Sequence, residues 1–286
     1  MKGKGMESVD PTAGGSEAEQ GHVFRKSMPF RVMLHEILRT VGSTDGQACL
    51  DVGSPNGMLS RLLRENGGKW QSVAVNERDA AGLSAMLEEG TVHSAPPGEL
   101  PFKRKSFDAV VILNVLERAP SDETFIEECH RVLKPDGRLF VHTAHVKPWS
   151  CLTPFRTVCG MSPEHLGLRR PGYTESELFS LLKNGFNVLN VKSYSRFFIE
   201  LVDVFVQGRL RRLASQGVDA PARRMRVYSV AAPFYRVADQ LDLLLFFTRG
   251  HRLLASANRR TWRPRNAPVL VDGRSISEAV LSRPGA

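Results

Sequence analysis

Long apolar runs are missing from this chain. No stretch free of Asp, Glu, Lys and Arg exceeds about ten residues, against the roughly 18 apolar residues that a membrane-spanning helix needs, so the chain is not expected to span a bilayer. The N-terminus lacks the basic stretch and apolar core of a signal peptide. Residues 1–21 are poor in large apolar side chains and rich in Gly, Ser and Glu, which predicts a disordered tail. Cysteine is scarce as well. Cys49, Cys129, Cys151 and Cys159 show no CxxC spacing, so no metal site is expected and a reduced, cytoplasmic setting fits best.

What is present is an ordinary core-forming composition, 42% hydrophobic over 286 residues, enough for one large α/β domain with an elaboration. Charge is divided unevenly. Residues 1–189 carry a net charge of −1 and residues 190–286 carry +10, so the whole basic excess is C-terminal. Such a segment suits an anionic partner such as a lipid head group, a nucleic acid or a phosphorylated substrate, or else a solvated basic surface.

Hydrophobic periodicity predicts an amphipathic helix over 28–41, ended by Gly42. Strands and helices then alternate: strand 48–52, helix 58–65, strand 72–75, helix 79–87, strands 91–94 and 107–113, helix 122–133, strand 138–143. That alternation argues for a parallel sheet covered by helices on both faces. After a long loop, Thr174-Glu175-Ser176-Glu177 reads as a capping box opening a helix, and 186–191 as a strand. Two apolar stripes follow, Phe197 to Phe205 and Phe234 to Leu245, the second with Pro233 near a helix start. The expected organisation is a tail (1–21), a core (22–195), a helical insert (196–248), a last core strand (249–258) and a basic, mostly irregular tail (259–286).

The densest chemical signal is Asp51-Val52-Gly53-Ser54-Pro55-Asn56-Gly57, where an apolar strand runs into a glycine-containing turn and a helix. Glycine there lets a ligand approach the backbone, and the helix start offers free N–H groups. The pattern is not the dinucleotide G-x-G-x-x-G. Asp51, two places before the first glycine, could pair with a cationic ligand group or cap the turn.

This segment resembles the D-x-G-x-G-x-G motif of class I S-adenosylmethionine-dependent methyltransferases. Leu100-Pro101-Phe102 with Ser106-Phe107-Asp108-Ala109-Val110-Val111 is similar to their L-P-F and F-D-x-V segments. Asn114-Val115-Leu116-Glu117 and Glu128-Cys129-His130-Arg131-Val132-Leu133-Lys134-Pro135-Asp136-Gly137 resemble the stretch shared with ubiquinone and menaquinone methyltransferases. The resemblance implies a Rossmann-like, seven-stranded methyltransferase sheet with a helical insert before the last strand, and S-adenosylmethionine as cofactor. It would place Asp51, Gly53, Ser54 and Gly57 along the cofactor's methionine side and Asn114 beside its sulfonium end. The acid that normally receives the ribose hydroxyls aligns with Asn76, with Glu77 next to it. Two departures stand out: Pro55 in place of the middle glycine, and Pro96 and Pro97 where an acid often precedes L-P-F.

For a proton acceptor the candidates are His142 and His145, leaving the fifth strand, and His165 in the loop 144–173. Arg169, Arg170 and Tyr173 in that loop could select an acidic substrate or be solvated. The insert admits three readings: an extra packed layer, a dimer contact, or a face on an anionic membrane at the inner surface, its apolar stripes flanked by Arg209, Arg211, Arg212, Arg223, Arg224 and Arg226. The tail Arg259-Arg260-Thr261-Trp262-Arg263-Pro264-Arg265 has the composition of a single-strand nucleic-acid contact, so RNA ranks as a third acceptor. The expected activity is methyl transfer to an O, N or C nucleophile of a small or lipid-like acceptor. The alternative is a non-catalytic binding or scaffold protein on the same fold.

Overall fold

A computed structural model describes residues 16–54, 57–96, 98–147, 150–216, 221–245 and 247–262. The chain opens with two helices, α1 (Glu17–Lys26) and α2 (Met28–Val41). There follow β1 (Ala48–Val52), α3 (Gly57–Glu65), β2 (Lys69–Ala74), α4 (Glu77–Ser84), β3 (Val92–Ser94) and β4 (Phe107–Leu113). The second half runs α5 (Asp122–Val132), β5 (Leu133–Ala144), α6 (Leu152–Val158), α7 (Glu175–Leu182), β6 (Phe186–Tyr194), α8 (Phe197–Ser215), α9 (Pro221–Leu243) and β7 (Arg252–Arg259).

The strands form one seven-stranded sheet in the order β3-β2-β1-β4-β5-β7-β6. The pairs from β3 to β5 are parallel, and β7 lies antiparallel between β5 and β6. Because successive strand residues point to opposite faces, Leu50, Val110 and Ile112 join one core with α5 and α7, while Cys49, Val111 and Leu113 join another with α2 and α3. The capping box expected at Thr174 is made in full, with Thr174 Oγ1 accepting from the Glu177 N–H and the Glu177 carboxylate accepting from the Thr174 N–H.

Two expectations need correction. The N-terminal tail does not extend to residue 21: Ser16 caps α1, and Val23 and Phe24 bury their side chains. Few apolar residues lie in the segment, so tertiary contact rather than local pattern makes the helix. The remainder of that predicted tail, residues 1–15, lies outside the described residues. Pro233 does not start a helix but sits inside α9, which begins at Pro221. Pro233 faces solvent, where water can satisfy the carbonyl its ring leaves unbonded.

Candidate active site

The strands that change direction of connection are β1 and β4, which pair directly while the chain moves outward from β1 to β2 and from β4 to β5. Ligands of open α/β sheets bind beyond the carboxyl ends of strands at such a point. Here a cavity of about 340 Å³ opens at that edge, reached by Gly53 after β1, Asp79 in the first turn of α4, Asn114 after β4 and His142 near the end of β5. Its other walls come from α2, the 144–173 loop and α8.

Gly53 has φ +76°, and a Cβ at this position would stand 2.2 Å from Val115 Cγ2 and 2.7 Å from the Leu113 carbonyl oxygen. Asn114 is also left-handed, φ +54°, and its N–H donates to the His142 carbonyl at 3.0 Å. These two bent residues bring the ends of β1, β4 and β5 together.

His142 is buried, and neither ring nitrogen has a partner among the described residues; the buried Tyr194 hydroxyl beside it likewise has none among them. Burial, helped by the Arg252 charge, holds the His142 imidazole down at about 3, so it is neutral at physiological pH. Beside it lies a charged network that the sequence did not disclose. Glu200 is bonded by Arg252 at 2.9 Å and by the Ser195 hydroxyl at 2.7 Å, with Arg156 at 3.4 Å. Burial opposes ionisation of Glu200, but the Arg252 and Arg156 guanidiniums outweigh it and hold the carboxyl at about 2. Asp203, one turn further along α8, accepts from the Tyr235 hydroxyl at 2.9 Å. Burial and then the Glu200 charge push Asp203 up to about 6.

Asp203 makes a testable contribution to stability. Its folded pKa of about 6 exceeds the ordinary 3.8, so between these values the folded chain keeps a proton that the unfolded chain releases. Stability from this group is therefore fullest below about pH 4 and falls as pH rises to about 6, by roughly 3 kcal/mol in all. Asp203→Asn, which keeps an oxygen for Tyr235, should raise the unfolding free energy at pH 8 and leave it nearly unchanged at pH 4. Equal gains at both pH values in denaturant titrations would refute this assignment.

The other expected site residues stand away from the cavity. Strand alternation puts Asp51 on the Cys49 face beneath α3, where its buried carboxylate accepts from Ser60 at 2.7 Å and Ser72 at 2.6 Å, with Arg64 at 3.5 Å. Burial raises the Asp51 carboxyl, and Arg64 and the two hydroxyls pull it back. The Gly57 N–H at the start of α3 donates to the Gln20 side chain at 2.7 Å, and the Gln20 amide donates to the Gly82 carbonyl at 2.8 Å, so α1 covers this turn. Ser54 is buried and Glu77 is exposed. Asn76 caps α4, its oxygen accepting from the Asp79 N–H and its amide donating to the Asp79 carboxylate at 2.6 Å. His145 is bonded through Nδ1 to the Gly250 carbonyl, and His165 is exposed and bonded to Ser162. Pro55 and Pro97 lie outside the described residues; Pro96 is described but does not line the cavity.

Two further groups of expected residues make packing contacts. Arg170 pairs with Asp122 at 2.8 Å and covers the ring of Tyr173, whose hydroxyl also donates to Asp122. Trp262 packs against Gly185 and the His130 ring. Arg263, Pro264 and Arg265 lie outside the described residues. Sequence reasoning missed Asp79, Tyr194, Glu200 and Asp203. Only Glu117 of the newly found lining residues lay in a quoted motif, and its carboxylate accepts from the Thr143 hydroxyl and the Ala144 N–H.

The family model described as a methyltransferase domain matches residues 50–141, the segment that carries Gly53, Asn114 and the start of the cavity wall. The match covers about a third of the chain. The chain is similar to the ubiquinone/menaquinone biosynthesis C-methyltransferase UbiE of Chromobacterium violaceum, 34% identical over 132 residues, which are 44% of this chain and 54% of that protein. It is also similar to the ubiquinone biosynthesis O-methyltransferase of Leptothrix cholodnii, 30% identical over 42% of this chain and 53% of that one. The chain thus spans about half the length of these curated relatives. Among solved structures, an S-adenosylmethionine-dependent methyltransferase from Mesorhizobium loti aligns with TM-score 0.50 at 17% identity over 78% of this chain and 96% of its own. The [4+2]-cyclase SpnF aligns with TM-score 0.52 at 20% identity over 88% and 85%. The likeness to both structures is one of fold. It places the matched segment within the seven-stranded architecture described above.

Proposed function

We propose that the chain transfers a methyl group from S-adenosylmethionine to an O, N or C nucleophile of a small or lipid-like acceptor bound in the cavity. The observation that carries this reading is His142, a buried imidazole with two unpartnered nitrogens in the wall that also holds Gly53 and Asn114. Unpaired buried polar atoms are costly, and their position at a cavity supports a polar ligand as the missing partner. The two relatives, by name a C- and an O-methyltransferase of ubiquinone biosynthesis, favour a lipid-like acceptor and leave the atom open.

Gly53 and Asn114 would hold the methionine side of the cofactor. Asp79, a buried carboxylate at the cavity, would receive the ribose hydroxyls in place of the acid absent at Asn76. When bound, the sulfonium supplies a methyl group already activated for transfer. The protein's own task is then positioning. His142, kept neutral by burial, orients the acceptor through a hydrogen bond. Asp203, titrating near pH 6, provides the carboxylate that takes the proton an O or N acceptor releases.

The test is calorimetric titration with S-adenosylmethionine and S-adenosylhomocysteine, followed by transfer of labelled methyl to small-molecule and lipid extracts. Asp79→Ala should weaken cofactor binding by about tenfold or more, the cost of losing hydrogen bonds to a charged group. His142→Ala should keep the titration and lose transfer. No saturable heat at millimolar ligand from the folded chain would sink this reading in favour of a binding or scaffold protein.

A further inference from the structure

The helix α9 has two apolar faces, and only one of them is covered. Arg224, Tyr228, Ala231, Tyr235, Ala238 and Asp242 recur at alternating spacings of four and three and are buried. Val230, Phe234, Val237, Leu241 and Leu244 recur in the same rhythm on another side and are 60, 61, 60, 38 and 69% exposed. Continued toward the N-terminus, this second stripe becomes Arg223 and Arg226, both exposed. A patch of this kind on a soluble surface marks an interaction site.

A second observation lies beside it. Between the α1–α2 corner and α9 there is a groove of about 460 Å³ whose walls include Arg25, Lys26, Arg31 and Arg236, with Asp239 the one carboxylate. Arg25, Lys26, Arg31 and Arg236 are exposed, and none of them forms an ion pair among the described residues. On α9, Gln240 of the groove wall adjoins Val237 and Leu244 of the stripe at spacings of three and four, so groove and stripe meet along one edge of the helix.

We propose that α9 docks on an anionic bilayer, with Phe234 and its stripe at the acyl boundary and lipid phosphates in the Arg25, Lys26, Arg31 and Arg236 groove. Apolar contact and attraction to anionic lipid reinforce one another when they share a face, which is the arrangement of an interfacial helix. A second copy of the chain is a poorer occupant: stripe against stripe would bury the apolar residues but bring no anion to the Arg25, Lys26, Arg31 and Arg236 groove. No described helix is long and apolar enough to cross a membrane, so contact would be at the surface. The inference does not depend on methyl transfer.

Flotation of the full chain with phosphatidylcholine vesicles, with and without phosphatidylglycerol, tests it at low and high salt. Binding is expected only with the anionic lipid and should weaken as salt rises. The double variants Phe234→Glu/Leu241→Glu and Arg31→Glu/Arg236→Glu should each lose about tenfold or more in vesicle affinity. Thermal unfolding and the S-adenosylmethionine titration establish that each variant is folded and leave the methyltransferase reading separately readable. A folded chain that stays off anionic vesicles would overturn the proposal, as would stripe variants that bind unchanged. So would full displacement by inorganic phosphate, or a dimer that the stripe variant abolishes and vesicles do not dissociate.

Discussion

Glu200→Gln should lower the unfolding free energy by about 3–5 kcal/mol, the cost of breaking a buried ion pair by removing one partner. The Glu200 side chain is 2% exposed and is the shared anion of Arg252 and Arg156. Glutamine keeps its shape and the Ser195 bond, but leaves two guanidiniums facing no carboxylate except that of Asp203, which burial discourages from ionising. The sign with pH follows from the folded value of about 2 against the ordinary 4.5. Glu200 contributes fully above pH 4.5, and its contribution drains away as pH falls toward 2. Denaturant midpoints of the two proteins should therefore differ widely at pH 7 and converge in acid. An unchanged midpoint at pH 7 would mean that the network positions side chains without stabilising the fold.

Gly53→Ala is expected to cost about 2–4 kcal/mol and to abolish saturable S-adenosylmethionine binding, because two penalties add. A left-handed backbone costs a non-glycine residue about 1 kcal/mol or more. The added methyl also meets Val115 at 2.2 Å and the Leu113 carbonyl at 2.7 Å, so β1 and β4 must separate at the point where the cavity opens. Gly46→Ala isolates the first penalty, since Gly46 has φ +72° and nothing within 4 Å of its missing Cβ. It should lose only about 1 kcal/mol and bind cofactor normally. Similar losses at both glycines, with binding retained in both, would remove the steric argument for the turn.

The parallel core was legible because each strand of it is a short apolar run bounded by turn residues; β1 and β4 lie where the pattern predicts, at Ala48–Val52 and Phe107–Leu113. The helix α6 was not legible. It has two turns, buries only Leu152, and leaves no periodic signal in the loop it occupies. The α8 and α9 stripes were visible, but which residues face the interior was not. Small Ala231 and Ala238 and the hydroxyl-bearing Tyr228 and Tyr235 pack inward, while Phe234 and Leu244 point out. Local hydrophobicity gives the opposite ranking.

Of the expected site residues, Gly53, Asn114 and His142 reach the cavity because each lies at or just beyond the carboxyl end of its strand. Asp51 does not, since one step of strand alternation turns it beneath α3, and a motif letter carries no facing. The Glu200 network draws on residues 156, 195, 200 and 252, gathered from α6, the residue after β6, α8 and the last strand. No spacing rule reaches across such separations.

The position of β7 has a consequence for how the chain is made. This strand, Arg252–Arg259, fills the slot between β5 and β6, and its partners in β5 lie more than a hundred residues earlier. A chain leaving the ribosome from its N-terminus exposes the outer edge of β5 until residue 259 has emerged, with the helical hairpin of α8 and α9, which packs on α1 and α2, already synthesised. An open strand edge beside an apolar hairpin is a target for aggregation and for chaperones. Sheet closure, which waits for the most distant pairing in the fold, is thus set to be the slow step of maturation.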